Sequence, residues 1–259
     1  VNQAKSRLVA LFSLDNNKTP VISGSAVSLT NDGYFITVRS ALPPVGTDYF
    51  ISMPDGSVVP VTKLFVDPAS DLVIINAKAS SQSVINFGRS AELEPGQKLF
   101  LLNASLQQNR IHFKQSYVAV SQIETQSEMN IDYPSRSFGI TENSSPPGTV
   151  MVSLGGDLAG LWTGTKIVSS DIIKNFTENF FSNQKQIIRP AFGFSYRSIN
   201  SAESQLNDVP QGAFITSLAA NGKALSSGIA IGDIITKVNE ESLDDKLSLE
   251  ELLQKLIPG

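Results

Sequence analysis

The chain has 259 residues, 41% of them hydrophobic and 17% charged, a net charge of −4 and no cysteine. This composition predicts a globular protein of roughly two or three compact domains and argues against nucleic acid as a partner, because no basic run is present. It excludes disulfides, thiol catalysis and cysteine metal sites, and no apolar stretch approaches the roughly 20 residues that span a bilayer.

The chain to about residue 165 reads as short strands separated by turns, a spacing typical of β-barrels or sandwiches. Apolar or alternating runs predict a first group of strands at 8–12, 24–29, 34–37, 49–53, 58–61 and 72–75. The turn Pro95-Gly96-Gln97 then leads into what we interpret as a second barrel. Its strands are predicted at 98–102, 111–120, 129–132, 149–153 and 158–162.

A helix and a small C-terminal module follow these strands. Ser169-Ser170-Asp171 is typical of a helix N-cap, and the apolar residues between 172 and 180 give the helix one apolar face. Residues 184–189 are interpreted as a linker that ends at Pro190, after which an α+β module continues to Gly259.

Ordered motifs along nearly the whole chain resemble the HtrA/Deg family of trypsin-like serine proteases with a C-terminal PDZ domain. The segments that carry the resemblance in the first domain are 24–34, 67–75, 87–90, 95–99, 141–148, 160–161 and 171–181. In the second domain they are 190–194, 212–218 and 228–239. Their order and spacing together, rather than any single motif, support the family assignment.

The resemblance implies a mainly β fold with a two-barrel chymotrypsin/trypsin-like domain over residues 1–183 and an α+β PDZ domain over 190–259. The barrels are expected at roughly 1–88 and 89–168, with a C-terminal helix at 170–182. PDZ domains of this type run into one more strand where this chain stops, so we expect a PDZ domain truncated at its last strand. No signal-like segment follows Val1, and we expect a trimmed start in preference to a cytosolic protein.

The catalytic positions implied by the resemblance are degenerate. Asp71 falls at the triad aspartate, but Ser40 stands at the histidine position, and a serine hydroxyl cannot take a proton near neutral pH as imidazole does. The nucleophile position aligns with Val150, although Thr149 is possible, and the glycine-rich oxyanion turn is missing. Because losing nucleophile or base costs on the order of a millionfold in turnover, we predict no catalytic residues and no proteolysis.

Structural rather than catalytic roles are favoured for three residues. Asp71 is expected to act as a turn residue that accepts hydrogen bonds, His112 as an ordinary strand histidine, and Ser153 as part of a plain turn. No Ser-x-x-Lys pattern falls in the matching loop. Two alternatives stay open for Trp162: its indole fills the primary specificity pocket, or it packs in the core.

The PDZ resemblance implies a peptide-binding groove. Phe192, Gly193 and Phe194 are expected to hold a C-terminal carboxylate, and 194–197 is expected to be the edge strand that pairs with a peptide. The remaining groove residues are expected to be Tyr196, Leu249 and Leu253. Ser248 with Glu251 predicts a capping box before the last helix. Replacing Gly193 with a bulky residue is expected to abolish peptide binding and leave the fold intact.

Three functions remain open from the sequence. The favoured one is a catalytically inactive pseudoprotease that binds peptide or protein C-termini and unfolded segments as a scaffold, chaperone-like or regulatory protein. The second is a regulatory subunit that hetero-assembles with an active HtrA-type protease. A homo-trimer and a hetero-trimer both stay open as assemblies. The third is a serine protease with rearranged catalytic residues. No cofactor or metal is predicted, and the expected location is the bacterial periplasm or cell envelope, with any membrane tether outside this chain.

Overall fold

The structure is a computed structural model that describes residues 2–42, 48–67, 69–79, 83–104, 111–120, 129–130, 138–141, 145–187, 192–245 and 249–254. The chain divides into two compact units. The first comprises residues 1–122 and 136–174, and the second comprises 123–135 and 175–259. The second unit is therefore discontinuous in sequence, because one of its segments lies within the span of the first.

The described helices are α1 (Asn2–Lys5), α2 (Ser170–Ser182), α3 (Ser201–Asn207), α4 (Lys223–Ser226) and α5 (Leu249–Gln254). Two 3-10 turns occur at Arg39–Ala41 and Ser90–Glu92. The helix expected at 170–182 is present as α2, which spans Ser170–Ser182. None of the helices in the described ranges combines the length and apolarity that crossing a bilayer requires.

The first six strands form a closed barrel in the order β1-β2-β3-β6-β5-β4. They are β1 (Leu8–Leu14), β2 (Pro20–Ser28), β3 (Tyr34–Val38), β4 (Tyr49–Ser52), β5 (Val58–Val66) and β6 (Leu72–Ala77). Alternate residues of each strand face the interior, where Leu11, Phe35, Ile51 and Ile75 are fully buried. Strands β1, β3 and β6 are buried at nearly every position, and alternate residues of each contribute to this core.

The next strands are β7 (Lys98–Ala104), β8 (Ile111–Val120), β9 (Met129–Asn130), β10 (Gly139–Ile140), β11 (Val150–Val152), β12 (Leu158–Trp162) and β13 (Ile167–Ser169). Six of them form one sheet in the order β10-β8-β7-β11-β12-β13. Its core contains Leu99, Leu101, Met151 and Trp162. The strand predicted at 129–132 as part of this second barrel is β9, which pairs in the sheet of the second unit instead.

The second unit contains β14 (Phe194–Ile199), β15 (Gly212–Leu218), β16 (Ile234–Ile235), β17 (Lys237–Val238) and β18 (Glu241–Ser242). Its main sheet has the order β16-β15-β14-β9, and β17 pairs with β18. Residues of β14, β15 and α5 share one hydrophobic core. The mainly β class with a small α+β module, predicted from the sequence, is confirmed.

Candidate functional site: a Ser–Asp pair and a PDZ-type strand

Ser40 and Asp71 lie side by side because of the pairing of β3 with β6. Val38 at the end of β3 is in register with Leu72 at the start of β6, so the residues just beyond meet. The amide of Arg39 donates to the Asp71 carbonyl at 2.8 Å, which fixes this junction. Asp71 has φ 62°, a left-handed conformation that Asp tolerates better than most residues.

The Ser40 hydroxyl has two acceptors and a single proton. Its Oγ lies 2.5 Å from the carbonyl oxygen of Thr163 and 3.5 Å from Oδ2 of Asp71. The shorter contact receives the proton, because hydrogen bonds weaken steeply near the outer limit of distance. The hydroxyl therefore lies near the carboxylate but donates elsewhere, and it is not a group that takes up a proton near neutral pH.

The Asp71 carboxyl is partly desolvated. Burial raises its pKa above the usual aspartate value, while the positive charges of Lys166 and Arg39 and hydrogen bonds from Ser40 act in the opposite direction. Because burial outweighs these charges and hydrogen bonds, the site does not stabilise the ionised form of Asp71 relative to water.

The turn at Pro147-Gly148, which the resemblance identifies as the approach to the nucleophile, packs tightly on the first barrel. Gly148 has φ 79°, and a Cβ there would lie 2.8 Å from Cβ of Ala41 and 2.9 Å from the carbonyl oxygen of Ser25. Gly24 faces the same spot, with a Cβ position 2.6 Å from Cβ of Ala41. Only glycine fits at either position without displacing its neighbours.

The amides of this turn are already engaged inside the chain. The Gly148 amide donates to the Trp162 carbonyl at 2.8 Å, and the Thr149 amide donates to the Pro146 carbonyl at 3.2 Å. Beyond them, Val150 lies in β11 between β7 and β12, paired with Leu102 and Leu161. The backbone here continues a sheet rather than forming a turn that directs amides at a bound oxyanion.

The Thr149 hydroxyl, the alternative nucleophile, is fully buried. Its Oγ1 lies 2.8 Å from Oδ1 of Asn103 and 2.6 Å from the Pro146 carbonyl oxygen. Neither an amide oxygen nor a peptide carbonyl is basic enough to remove a hydroxyl proton near neutral pH.

Trp162 belongs to the core of the second sheet and is 8% exposed. Its Nε1–H donates to the Ser145 carbonyl at 2.9 Å, and its amide donates to the Thr149 carbonyl at 2.9 Å. Of the two alternatives from the sequence, the structure gives Trp162 the packing role. It ties β12 to the turn that precedes β11.

The other polar candidates from the sequence, His112 and Ser153, belong to segments distant in sequence from Ser40 and Asp71. His112 is in β8, in register with Asn103 of β7. Ser153 begins a turn in which its carbonyl accepts from the Gly156 amide and its hydroxyl from the Asp157 amide. Among the described residues, no three His, Cys, Asp or Glu side chains come together as a metal site.

The segment expected to bind a carboxylate is anchored against α4 and the turn that precedes it. The carbonyl of Phe192 accepts from the Ala224 amide at 3.0 Å, and that of Gly193 accepts from the Ala219 amide at 2.8 Å. Gly193 has φ 74°, and a Cβ there would lie 2.5 Å from Cα of Gly222. A bulky residue at 193 would therefore disturb the fold itself, contrary to the expectation from sequence.

The residues expected to line the groove converge in the second unit. Phe194, Tyr196, Leu249 and Leu253 all belong to its hydrophobic core, with Phe192 packed against them. Tyr196 is fully buried. Ser248 and the side chain of Glu251, the predicted capping box, lie outside the described residues.

The sequence missed one feature of this sheet. The strand expected to be its edge, 194–197, is covered on its outer side by β9, in which Asn130 pairs with Ser195 and Met129 with Tyr196. The apolar and polar pattern at 129–132 did predict a strand. Nothing in that pattern identified its partner, because pairing of distant segments depends on tertiary structure.

Comparisons with known proteins agree with this arrangement. The PDZ domain family matches residues 183–256. A probable periplasmic serine endoprotease DegP-like of Halomonas elongata is 22% identical over 249 residues, covering 91% of this chain and 52% of the relative. A serine protease Do-like HtrA of Lactobacillus helveticus is 27% identical over 252 residues, covering 85% of this chain and 59% of the relative. The chain thus spans just over half the length of these relatives.

The solved structure of the HtrA-type protease AlgW with a decapeptide has the same fold, with a TM-score of 0.66 and 15% identity. The match covers 95% of this chain and 86% of that one. Fold and matches together define a trypsin-like domain followed by a PDZ domain. The chain is similar to HtrA-type proteases over most of its length, and its residues 183–256 match the PDZ domain family.

Proposed function

We propose that the protein is an HtrA family member that binds peptides through its PDZ domain and does not cleave them. The observation that carries the absence of cleavage is the Ser40–Asp71 pair, which lacks a catalytic base. A protease of this fold needs a base between carboxylate and nucleophile, and here a hydroxyl already donates to the Thr163 carbonyl in that place.

The turn before β11 supports the same conclusion. Both amides at Gly148 and Thr149 donate within the chain, so an oxyanion would lose these donors as well. Removing one oxyanion donor alone costs about 10²–10³ in turnover, and removing base or nucleophile costs on the order of 10⁶. The combined losses leave no useful catalysis.

The PDZ unit supplies the positive activity. PDZ domains capture an extended peptide by adding it to a sheet edge and holding its C-terminal carboxylate in a glycine-containing loop. Here the loop is Phe192-Gly193-Phe194, β14 is the strand, and α5 contributes Leu249 and Leu253 to the adjoining core. The ligand class is a peptide with a free carboxylate and an apolar terminal residue, because the residues around the loop are apolar. The relatives named periplasmic favour an extracytoplasmic location.

Two measurements on the full chain test the proposal. A fluorophosphonate probe should give no labelling under conditions that label trypsin to completion, and casein should stay intact. Labelling of wild-type protein that disappears in Thr149→Ala, or casein cleavage that disappears on mutation of this chain, would contradict the loss of catalysis.

Peptide capture is measured by fluorescence anisotropy with a labelled decapeptide that has an apolar C-terminal residue. The same peptide with an amidated C terminus is the matched control. The free carboxylate should bind at least about tenfold more tightly, since it accepts charge-assisted hydrogen bonds that the amide does not. Equal affinities would remove the carboxylate-binding assignment of residues 192–194.

A further inference from the structure

Strand β14 has no free edge where a peptide would be added. On one side it pairs with β15 along its whole length, from Phe194↔Leu218 to Ile199↔Gly212. On the other side, Ser195 pairs with Asn130 and Tyr196 with Met129 of β9. A strand has only two hydrogen-bonding edges, so a peptide can add to β14 at these residues only by taking the place of β9.

The direction of β9 is that of a PDZ ligand. The two strands are antiparallel, and Asn130 lies opposite Ser195, which directly follows the 192–194 loop. Met129 lies opposite Tyr196, one residue further from the loop. The chain in β9 therefore runs toward the carboxylate-binding loop, as a peptide does when its C terminus reaches that loop.

We propose that β9 is an internal competitor that occupies the peptide-binding edge of the PDZ domain in cis. Peptide capture then requires displacement of Met129–Asn130 from β14. This regulation rests on the proposed peptide-binding function, and it concerns the same strand. It explains why a segment that interrupts the first unit in sequence is part of the sheet in the second.

Competition by β9 also determines which kinds of peptide can bind to β14. β9 continues into residue 131, so it offers β14 main-chain hydrogen bonds but no terminal carboxylate. An internal segment of a client protein offers the same contacts and must compete with a strand that is tethered at high effective concentration. A free C terminus adds the carboxylate interaction and displaces β9 more readily. The cis strand thus selects for peptide C-termini over internal segments.

The expected size of the effect follows from the length of the strand. Two residues contribute one or two ladder bonds, each worth a small net amount in water. Removing this competition should tighten peptide binding by about 5- to 30-fold.

The test compares backbone-disrupting and side-chain variants of β9 in the full chain. Met129→Pro and Asn130→Pro remove an amide and disfavour strand pairing, whereas Met129→Ala and Asn130→Ala keep the main chain competent. Affinity for the labelled decapeptide is measured by anisotropy. The more disruptive Pro variant should bind about 5- to 30-fold more tightly than wild type, and the Ala variants within about twofold of it.

Hydrogen exchange over 194–199 is the second readout, and it needs no ligand. The β14 amide that faces β9 should exchange faster in the Pro variant, while amides paired with β15 should not change. In wild type, saturating peptide should increase exchange at 129–130. This wild-type measurement also decides the question if the Pro variants do not fold.

The outcomes separate the two proposals. Measurable binding that is equal in wild type and Pro variants, with no exchange change at 129–130 on peptide addition, overturns the cis competitor and leaves peptide binding standing. Absence of binding in every variant, together with faster exchange in β14 of the Pro variant, refutes the peptide-binding function and supports the strand pairing. Unchanged exchange in all variants overturns the inference.

Discussion

Gly148→Ala tests whether the turn before β11 packs on the first barrel as closely as the structure shows. A left-handed backbone costs an L-residue about 1–2 kcal/mol, and an added methyl group in a filled site costs about 1–3 kcal/mol. At Gly148 both apply, because the new Cβ would lie 2.8 Å from Cβ of Ala41 and 2.9 Å from the Ser25 carbonyl oxygen. The expected loss of unfolding free energy is about 2–5 kcal/mol.

Gly96→Ala is the matched control. Gly96 has φ 85° and lies in the same unit, but a Cβ there would have no atom within 4 Å. Only the backbone cost applies, so the expected loss is about 1–2 kcal/mol. Both are measured by urea unfolding followed through Trp162, the sole tryptophan, which lies in the core of the second sheet.

The double variant Ala41→Gly/Gly148→Ala isolates the contact. Removing the Ala41 methyl group relieves one of the two close approaches, so the pair should show a favourable coupling of about 0.5–2 kcal/mol. Equal losses in Gly148→Ala and Gly96→Ala, together with no coupling to Ala41, would refute the close packing of this turn. The engaged amides at 148 and 149 would then have to be reconsidered too.

Two further predictions concern the site. Because burial raises the pKa of Asp71, the native state binds more protons than the unfolded chain above about pH 4, and stability falls as pH rises through that window. Asp71→Asn should therefore raise Tm at pH 7 by on the order of 1–3 °C and have no effect on Tm below about pH 4. A lower Tm at pH 7, or a Tm difference that does not change with pH, would contradict the sign of this effect. Trp162→Phe leaves the Ser145 carbonyl without its indole donor and leaves a void in the core. Urea unfolding followed by far-UV circular dichroism should therefore show a loss of about 1–4 kcal/mol in the free energy of unfolding. A change below about 0.5 kcal/mol would contradict the packing role.

Local patterns were sufficient for the strands of the first barrel. In β3 and β6 every position but one is buried, and their apolar runs marked both strands within two residues of their observed ends. β5 extends to Val66, five residues beyond the strand predicted at 58–61. All five added residues are exposed or half-buried, and they carry no alternation of apolar and polar residues that would predict a strand.

Contacts between distant segments were not accessible from the sequence. The proximity of Ser40 to Asp71 was inferred only through a family resemblance, and the hydrogen bond to Thr163 depends on a third segment 123 residues away. The close approach of Gly193 to Gly222 likewise joins two loops with no shared local signal. Steric limits and hydrogen-bond partners of this kind depend on tertiary packing, which single-sequence patterns do not encode.

The discontinuity of the second unit has a practical consequence for anyone who dissects this protein. An excised fragment that starts near residue 183, where the family match begins, would lose Met129–Asn130 although it keeps β14. Its bare strand would be a template for self-association, and titrations on it would overstate the affinity that ligands meet in the intact polypeptide.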